Sequence, residues 1–203
     1  MIRRTRASDS LALALDDAWC ASWAGIEPVA ADLKWDLPDN WLRIHSLPAG
    51  KRYPDSESEY RTLLDRHLTI IRDLDAAAPA SFFWIIGPEW SKRRRLTRRA
   101  PVLLRQIGTP VLWGRLEPGD DTTFAARGHL WATTTETADE RTLAPLLRDV
   151  ADAGMSDVII APQDFAWLFL PYDGGADIIA QPRTIETMRA SRGDWLSDRP
   201  DGL

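Results

Sequence analysis

Trp167-Leu-Phe-Leu-Pro-Tyr-Asp-Gly-Gly-Ala-Asp-Ile-Ile-Ala180 is the stretch that decides the fold. Two apolar runs flank Asp173-Gly174-Gly175, residues that accept positive φ, and this is the pattern of a β-hairpin. Trp167–Tyr172 and Ala176–Gln181 are predicted as antiparallel neighbours joined at Asp173–Gly175, with at least one glycine at positive φ. Both runs are apolar on successive residues, so both faces of the hairpin should be covered. On this reading the hairpin fixes the centre of the fold.

Upstream, Asp157 to Ala161 reads as a short apolar strand, preceded by a helix from Asp139 to Ala153 that contains Pro145 and ends at Gly154. Pro110 to Leu116 and Arg127 to Thr133 are strands separated by Pro118-Gly-Asp-Asp121. Ser81 to Ile86 is a buried strand stopped by Gly87-Pro88. Ser56-Glu-Ser-Glu59 matches a capping box. The helix it opens should run to Ala77 and bury Tyr60, Leu63, Leu64, His67, Ile71 and Leu74. Trp41 to Leu47 reads as a strand with Trp41, Arg43, His45 and Leu47 on one face and Leu42, Ile44 and Ser46 on the other. Residues 9 to 24 form a helix with Leu11, Leu15, Trp19 and Trp23 in one stripe and Gly25 as its stop. The segment carrying Trp35 is a loop, and a last helix spans Arg183 to Arg192. Strands and helices are intermixed and one strand pair is antiparallel. The fold class is therefore α+β: a single domain over residues 1–203, with a mixed or antiparallel sheet packed against helices.

Composition narrows the function. The chain has 203 residues, 44% of them hydrophobic, and ten tryptophans spread along its whole length, which suits one shared core. Net charge is −5 although six cations lie within Lys92 to Arg99, so the rest is clearly acidic and repels nucleic acid and anionic membrane. The single cysteine, Cys20, precludes an intrachain disulfide and suits a reducing cytoplasm. The run Leu11 to Leu15 is too short for an export core, and no apolar run approaches the roughly 20 residues of a membrane span.

The motifs mostly exclude. Ala49-Gly50-Lys51 lacks the first glycine and the hydroxyl residue of a phosphate loop. Asp173 and Asp177 have the offset of two calcium-loop positions, but Ile178 and Thr184 stand where that loop needs Gly and Glu. Three histidines and one cysteine do not make a zinc site, no metal site is expected, and no cofactor motif is present. The basic run Lys92 to Arg99 reads as a solvated loop or as cations paired with the acidic body, and nucleic acid is not expected as a partner. His67, on an apolar helix face, reads as a satisfied core histidine.

One cluster carries a binding hypothesis. Arg43 and His45 share a strand face, and Lys51, Arg52 and Tyr53 follow in the next loop. Such a set suits an anion or a carboxylate, with Asp173 of the hairpin turn as an added member. The ordinary alternative is a polar sheet face beside a solvated loop.

Leu170-Pro-Tyr-Asp-Gly-Gly-Ala-Asp177, Trp195-Leu-Ser197 with Gly202-Leu203, and Trp41-Leu-Arg-Ile-His-Ser-Leu-Pro48 with Lys51-Arg-Tyr-Pro54 resemble stretches of small bacterial proteins of uncharacterised function. The resemblance implies a single cytoplasmic domain of bacterial origin and carries no activity or catalytic residue. Size, acidity, aromatic content and the lack of a catalytic constellation point to a non-enzymatic protein-binding role, for instance neutralising a basic toxin domain. The alternative is an enzyme or small-anion binder that uses the surface formed by Arg43, His45, Lys51 and Arg52.

Overall fold

The computed structural model describes residues 3–6, 9–91, 99–117 and 127–197. The basic run through residue 98, the Pro118–Asp121 connection and the last six residues lie outside them.

In chain order the elements are β1 (Arg3–Arg6), α1 (Ser10–Ser22), α2 (Ala30–Asp36), β2 (Trp41–His45), α3 (Glu57–Asp75), β3 (Phe83–Ser91) and α4 (Val102–Ile107). Then come β4 (Val111–Glu117), β5 (Arg127–Thr135), α5 (Glu140–Ala151), β6 (Ile159–Pro162), β7 (Trp167–Tyr172), β8 (Gly175–Ala180) and α6 (Pro182–Ser191). The strands make one sheet in the order β1-β4-β5-β3-β6-β7-β8-β2, and every neighbouring pair is antiparallel. The α+β class is as expected, with an antiparallel sheet.

Helices cover both faces. Leu42, Ile44, Phe83, Ile85, Trp167, Phe169 and Ile178 point into one apolar layer with α3, α5 and α6. Alternate residues Trp84, Ile86, Leu168, Leu170 and Ile179 point into a second layer with α1 and α2. This is why the hairpin runs are apolar on successive residues: odd and even positions each meet a helix layer. The hairpin is not the middle of the sheet, however. β7 and β8 lie toward the β2 edge, and β3 and β6 hold the centre.

Several local expectations hold. Asp9 caps α1, accepting from the Leu11 amide at 2.9 Å, and Gly25 ends that region at φ 79°. Leu11 is exposed, and Ala12, Leu15 and Trp19 form the buried stripe instead. Ser56 caps α3 through the Glu59 amide. The Glu59 carboxylate returns to the Asp55 amide, one residue earlier than a standard box requires. Trp113 sits in a bulge between β4 and β5 that drops its ring against Trp19, with centroids 5.7 Å apart.

Other expectations are corrected. β3 runs through Gly87-Pro88 to Ser91. It can do so because β6 pairs only as far as Ile86, so Pro88 lies where β3 has a strand on one side only. The segment with Trp35 contains α2, and α4 lies immediately downstream of the basic run. The hairpin exists with the turn at Asp173-Gly174, but neither Gly174 nor Gly175 has positive φ. Gly175 is required by space. A Cβ there would sit 2.0 Å from the Ile44 carbonyl oxygen on β2 and 2.8 Å from the Tyr172 hydroxyl.

Two predictions follow from this packing. Gly175→Ala should destabilise the protein by about 2–3 kcal/mol, since backbone must move to admit the methyl. Gly174→Ala, which meets the flexible Arg52 stem at 3.1 Å and the Tyr172 ring edge at 3.2 Å but no backbone, should cost about 1 kcal/mol or less; urea midpoints of the two variants check the contrast.

The second prediction concerns His67, which is fully buried with Nε2 2.9 Å from the Ser46 hydroxyl. Burial, helped by the charge of Arg66, drives its pKa from 6.5 down to about 3. The unfolded chain therefore takes up a proton below pH 6.5 that the folded chain refuses until about pH 3. Stability present above pH 6.5 is lost as pH falls through that window, by several kcal/mol in order of magnitude. His67→Gln should flatten the fall in urea midpoint between neutral pH and pH 4 relative to the parent.

Candidate functional site

The α1/α2 face of the sheet is incompletely covered at its hairpin end. α2 lies over β8 near Ile179, and alongside it the strands present Arg43, Asp177 and Tyr172. The result is a cleft of about 500 Å³, within the range of small-ligand sites. A groove of about 640 Å³ between α3 and the start of α5 is larger, but Arg61, Asp65, Arg72 and Glu140 on its walls are exposed helix-surface side chains. The cleft differs because its floor is made of nearly buried charge.

Arg43 and Asp177 are register partners on β2 and β8. Arg43 Nε donates to Asp177 Oδ1 at 2.7 Å and Nη2 donates to Oδ2 at 2.9 Å, a bidentate fork. The two side chains are only 13% and 8% exposed. The guanidinium lies 4.8 Å from the Tyr172 ring centroid and 5.5 Å from that of Trp41. Burial works against the Arg43 charge, and the bonds from Asp177 more than offset it, so its pKa stands above the ordinary value. Burial pushes the Tyr172 phenol up to about 12, with Arg43 opposing; the phenol is therefore a neutral donor at physiological pH.

A second pair forms the rim. Arg52, on the loop after β2, donates through Nε and Nη2 to Asp173 in the hairpin turn at 2.9–3.1 Å, and the Tyr53 hydroxyl donates to the same carboxylate at 3.2 Å. Arg52 is 62% exposed, so water screens this pair.

The opposite wall is α2 and the loop before β6. Val29, at the N-cap of α2, offers no side-chain bond. The cap comes from Asp157, whose carboxylate accepts from the Ala31 amide at 3.3 Å and from Trp90 Nε1 at 2.9 Å. Asp157 holds φ 56°, a left-handed conformation that aspartate tolerates. Lys34, in the last turn of α2, completes the lining. Burial, then the charge of Arg43, lowers its pKa against the opposing pull of Asp177 and Asp32.

Of the residues expected to act together, Arg43, Arg52 and Asp173 line this cleft, and Tyr53 reaches it through Asp173. Lys51 turns away to Asp55 and Glu59. His45 packs its ring against Gly50, whose added Cβ would be 3.7 Å away, and its carbonyl accepts from Arg66. Lys34, Asp157 and Tyr172 belong to the site and were not singled out. Tyr172 and Asp177 carry a usable signal, as polar residues at the end of and within otherwise apolar strands. Lys34 and Asp157 carry none: α2 lacks a local cap, and the carboxylate that supplies it lies 126 residues from Ala31. Among the described residues no group of three or more His, Cys, Asp or Glu is placed to hold a metal ion, and no helix is long and apolar enough to cross a membrane.

The chain belongs to the family described as Domain of unknown function (DUF3885), whose model matches residues 29–200 and so spans every residue of the cleft. No curated protein and no solved structure matches the chain.

The floor pair makes a stability prediction. Asp177→Ala leaves a buried guanidinium without its partner and should cost about 3–5 kcal/mol. The double change Arg43→Met with Asp177→Leu removes both charges and should cost clearly less. Equal losses from the two would show that packing, not the uncompensated charge, sets the penalty; urea unfolding of both measures this.

Proposed function

We propose that this protein binds a small polar ligand through an anionic group, a carboxylate or phosphate, in the cleft between α2 and the β7–β8 hairpin. The observation that carries this reading is the floor: a bidentate Arg43–Asp177 pair flanked by Trp41 and Tyr172 beneath a 500 Å³ cleft. An arginine has five N–H donors. Asp177 takes two from Arg43, and Asp173 takes two from Arg52. The remaining donors, with the neutral Tyr172 phenol, suit an incoming oxyanion. A bacterial cytoplasm is the setting we propose, supported by the single cysteine and the resemblance to small bacterial proteins.

A second reading places a protein partner on the same surface. Trp35, next to Lys34, is 67% exposed while the other nine tryptophans are buried or half-buried, and exposed tryptophan is a frequent interface anchor. With a net charge of −5 the partner would be basic, a toxin domain being one instance, and added salt would slow association.

Calorimetric titration with inorganic phosphate and with pyruvate tests the first reading. One saturable site is expected, weakened about ten- to a hundred-fold by Arg52→Ala, the loss of one charge-assisted contact. Absence of saturable binding of either probe, or wild-type affinity in the variant, would overturn it. Trp35→Ala should leave the probe affinities unchanged under this reading and weaken capture of a basic partner under the second.

A further inference from the structure

The chain has only three lysines, Lys34, Lys51 and Lys92, against 22 arginines. Lys51 is clamped by Asp55 at 2.8 Å and Glu59 at 2.6 Å, and those bonds raise its pKa. Lys92 lies outside the described residues. Lys34 differs from Lys51. It lines the cleft, and among the described residues no carboxylate lies within ion-pair distance of its Nζ.

The groups around it decide its charge. Arg43 on β2 repels the ammonium, and Asp32 on its own helix and Asp177 on β8 attract it. Asp177 is already engaged in both oxygens by Arg43. Arg52, Asp173, Asp157 and Tyr172 complete the polar lining: Asp173 is held by Arg52 and Tyr53, and Asp157 by Trp90, Ser156 and the α2 amide. The Trp35 ring, 4.9 Å from Nζ, favours the ammonium, but weakly because it is open to water. The balance lowers the pKa, burial first and Arg43 second. A half-desolvated lysine beside a fixed cation is a recognised way to obtain a neutral nucleophilic amine. Arginine cannot serve this purpose, since its guanidinium stays protonated.

We propose that Lys34 is an imine-forming lysine, and that the ligand of the cleft is a carbonyl compound with an anionic group, a 2-oxo acid or an anionic aldehyde. This rests on the small-ligand reading of the cleft. The anionic group occupies the open guanidinium donors and presents the carbonyl carbon to Lys34. The neutral amine donates its lone pair to that carbon, and the carbonyl oxygen takes a proton as the nitrogen releases one, giving a carbinolamine. A second proton on the hydroxyl lets it leave as water, and the nitrogen lone pair closes the C=N bond. Solvent supplies and recovers the protons, and nothing is oxidised or reduced.

The test is trapping on the full chain with glyoxylate and sodium cyanoborohydride, the adducts located by peptide mass mapping. Lys51, Lys92 and the α-amino group serve as internal controls, and uncharged acetaldehyde runs in parallel. Near neutral pH Lys34 should be labelled faster than Lys51, because burial and Arg43 lower the pKa of Lys34 while the bonds to Asp55 and Glu59 raise that of Lys51. Its labelling should rise at lower pH than that of Lys51. Lys34→Arg should remove the fast adduct while circular dichroism shows the fold intact, and phosphate should compete with glyoxylate. Labelling of Lys34 no faster than Lys51 or Lys92 overturns the imine proposal even where phosphate still binds, and the cleft reading then survives alone. Equal trapping of glyoxylate and acetaldehyde, unaffected by Arg52→Ala or phosphate, leaves the nucleophilic lysine standing and removes the anionic ligand class.

Discussion

A strand buried on both faces must be covered twice, and the rest of this structure follows from that constraint. β7 and β8 are buried along almost their whole length, so helices are needed on both faces of the sheet. The two covers are unequal. α3, α5 and α6 bring 19, 12 and 10 residues to one face; α1 and α2 bring 13 and 7 to the other. Where the thinner cover ends, the strands change from apolar side chains to Arg43, Asp177 and Tyr172. The cleft is thus the margin of the core: polar groups there have to be satisfied by one another, because only part of their surface reaches water.

The two ion pairs at that margin answer to different physics. Arg43–Asp177 is nearly buried and held by two strands in register, so its geometry is set by the sheet and losing one partner is costly. Arg52–Asp173 joins two loops with the arginine open to water, where Coulomb attraction is weakened by solvent and further by salt. On the proposed reading, a ligand oxyanion would compete with Asp173 for the rim arginine while the nearly buried floor pair stays in place.

Much of this was legible in sequence and part was not, for reasons particular residues show. The hairpin, α3 with its Ser56 cap, and Arg43 facing the same way as the rest of its strand face all rest on local periodicity and capping. Gly175 was legible as special, but for a reason only tertiary structure supplies: the β2 backbone passes 2.0 Å from where its Cβ would be, and φ there is ordinary. The Gly87-Pro88 stop failed because it depended on where the neighbouring strand ends, at Ile86, which no local pattern encodes. His45 and Lys51 were grouped with Arg43 by proximity in sequence, yet Gly50 at φ 65° and the Glu59 carboxylate turn them aside.

α2 shows most clearly why the site exceeded its sequence signal. Seven residues without a side-chain cap would not persist as an isolated helix. It persists because Ala30 and Leu33 are buried under the sheet and because Asp157, 126 residues away from Ala31, accepts the helix amide. That cap is invisible to any pattern of neighbours, so the segment looks like a loop and Lys34 like one more surface cation. Once the cap is in place, the helix axis is fixed and the last turn puts Lys34 into the cleft beside Arg43. The same long-range contact that hides α2 in the sequence is therefore what gives Lys34 its environment, a half-buried amine facing a charge that Asp177 will not let move.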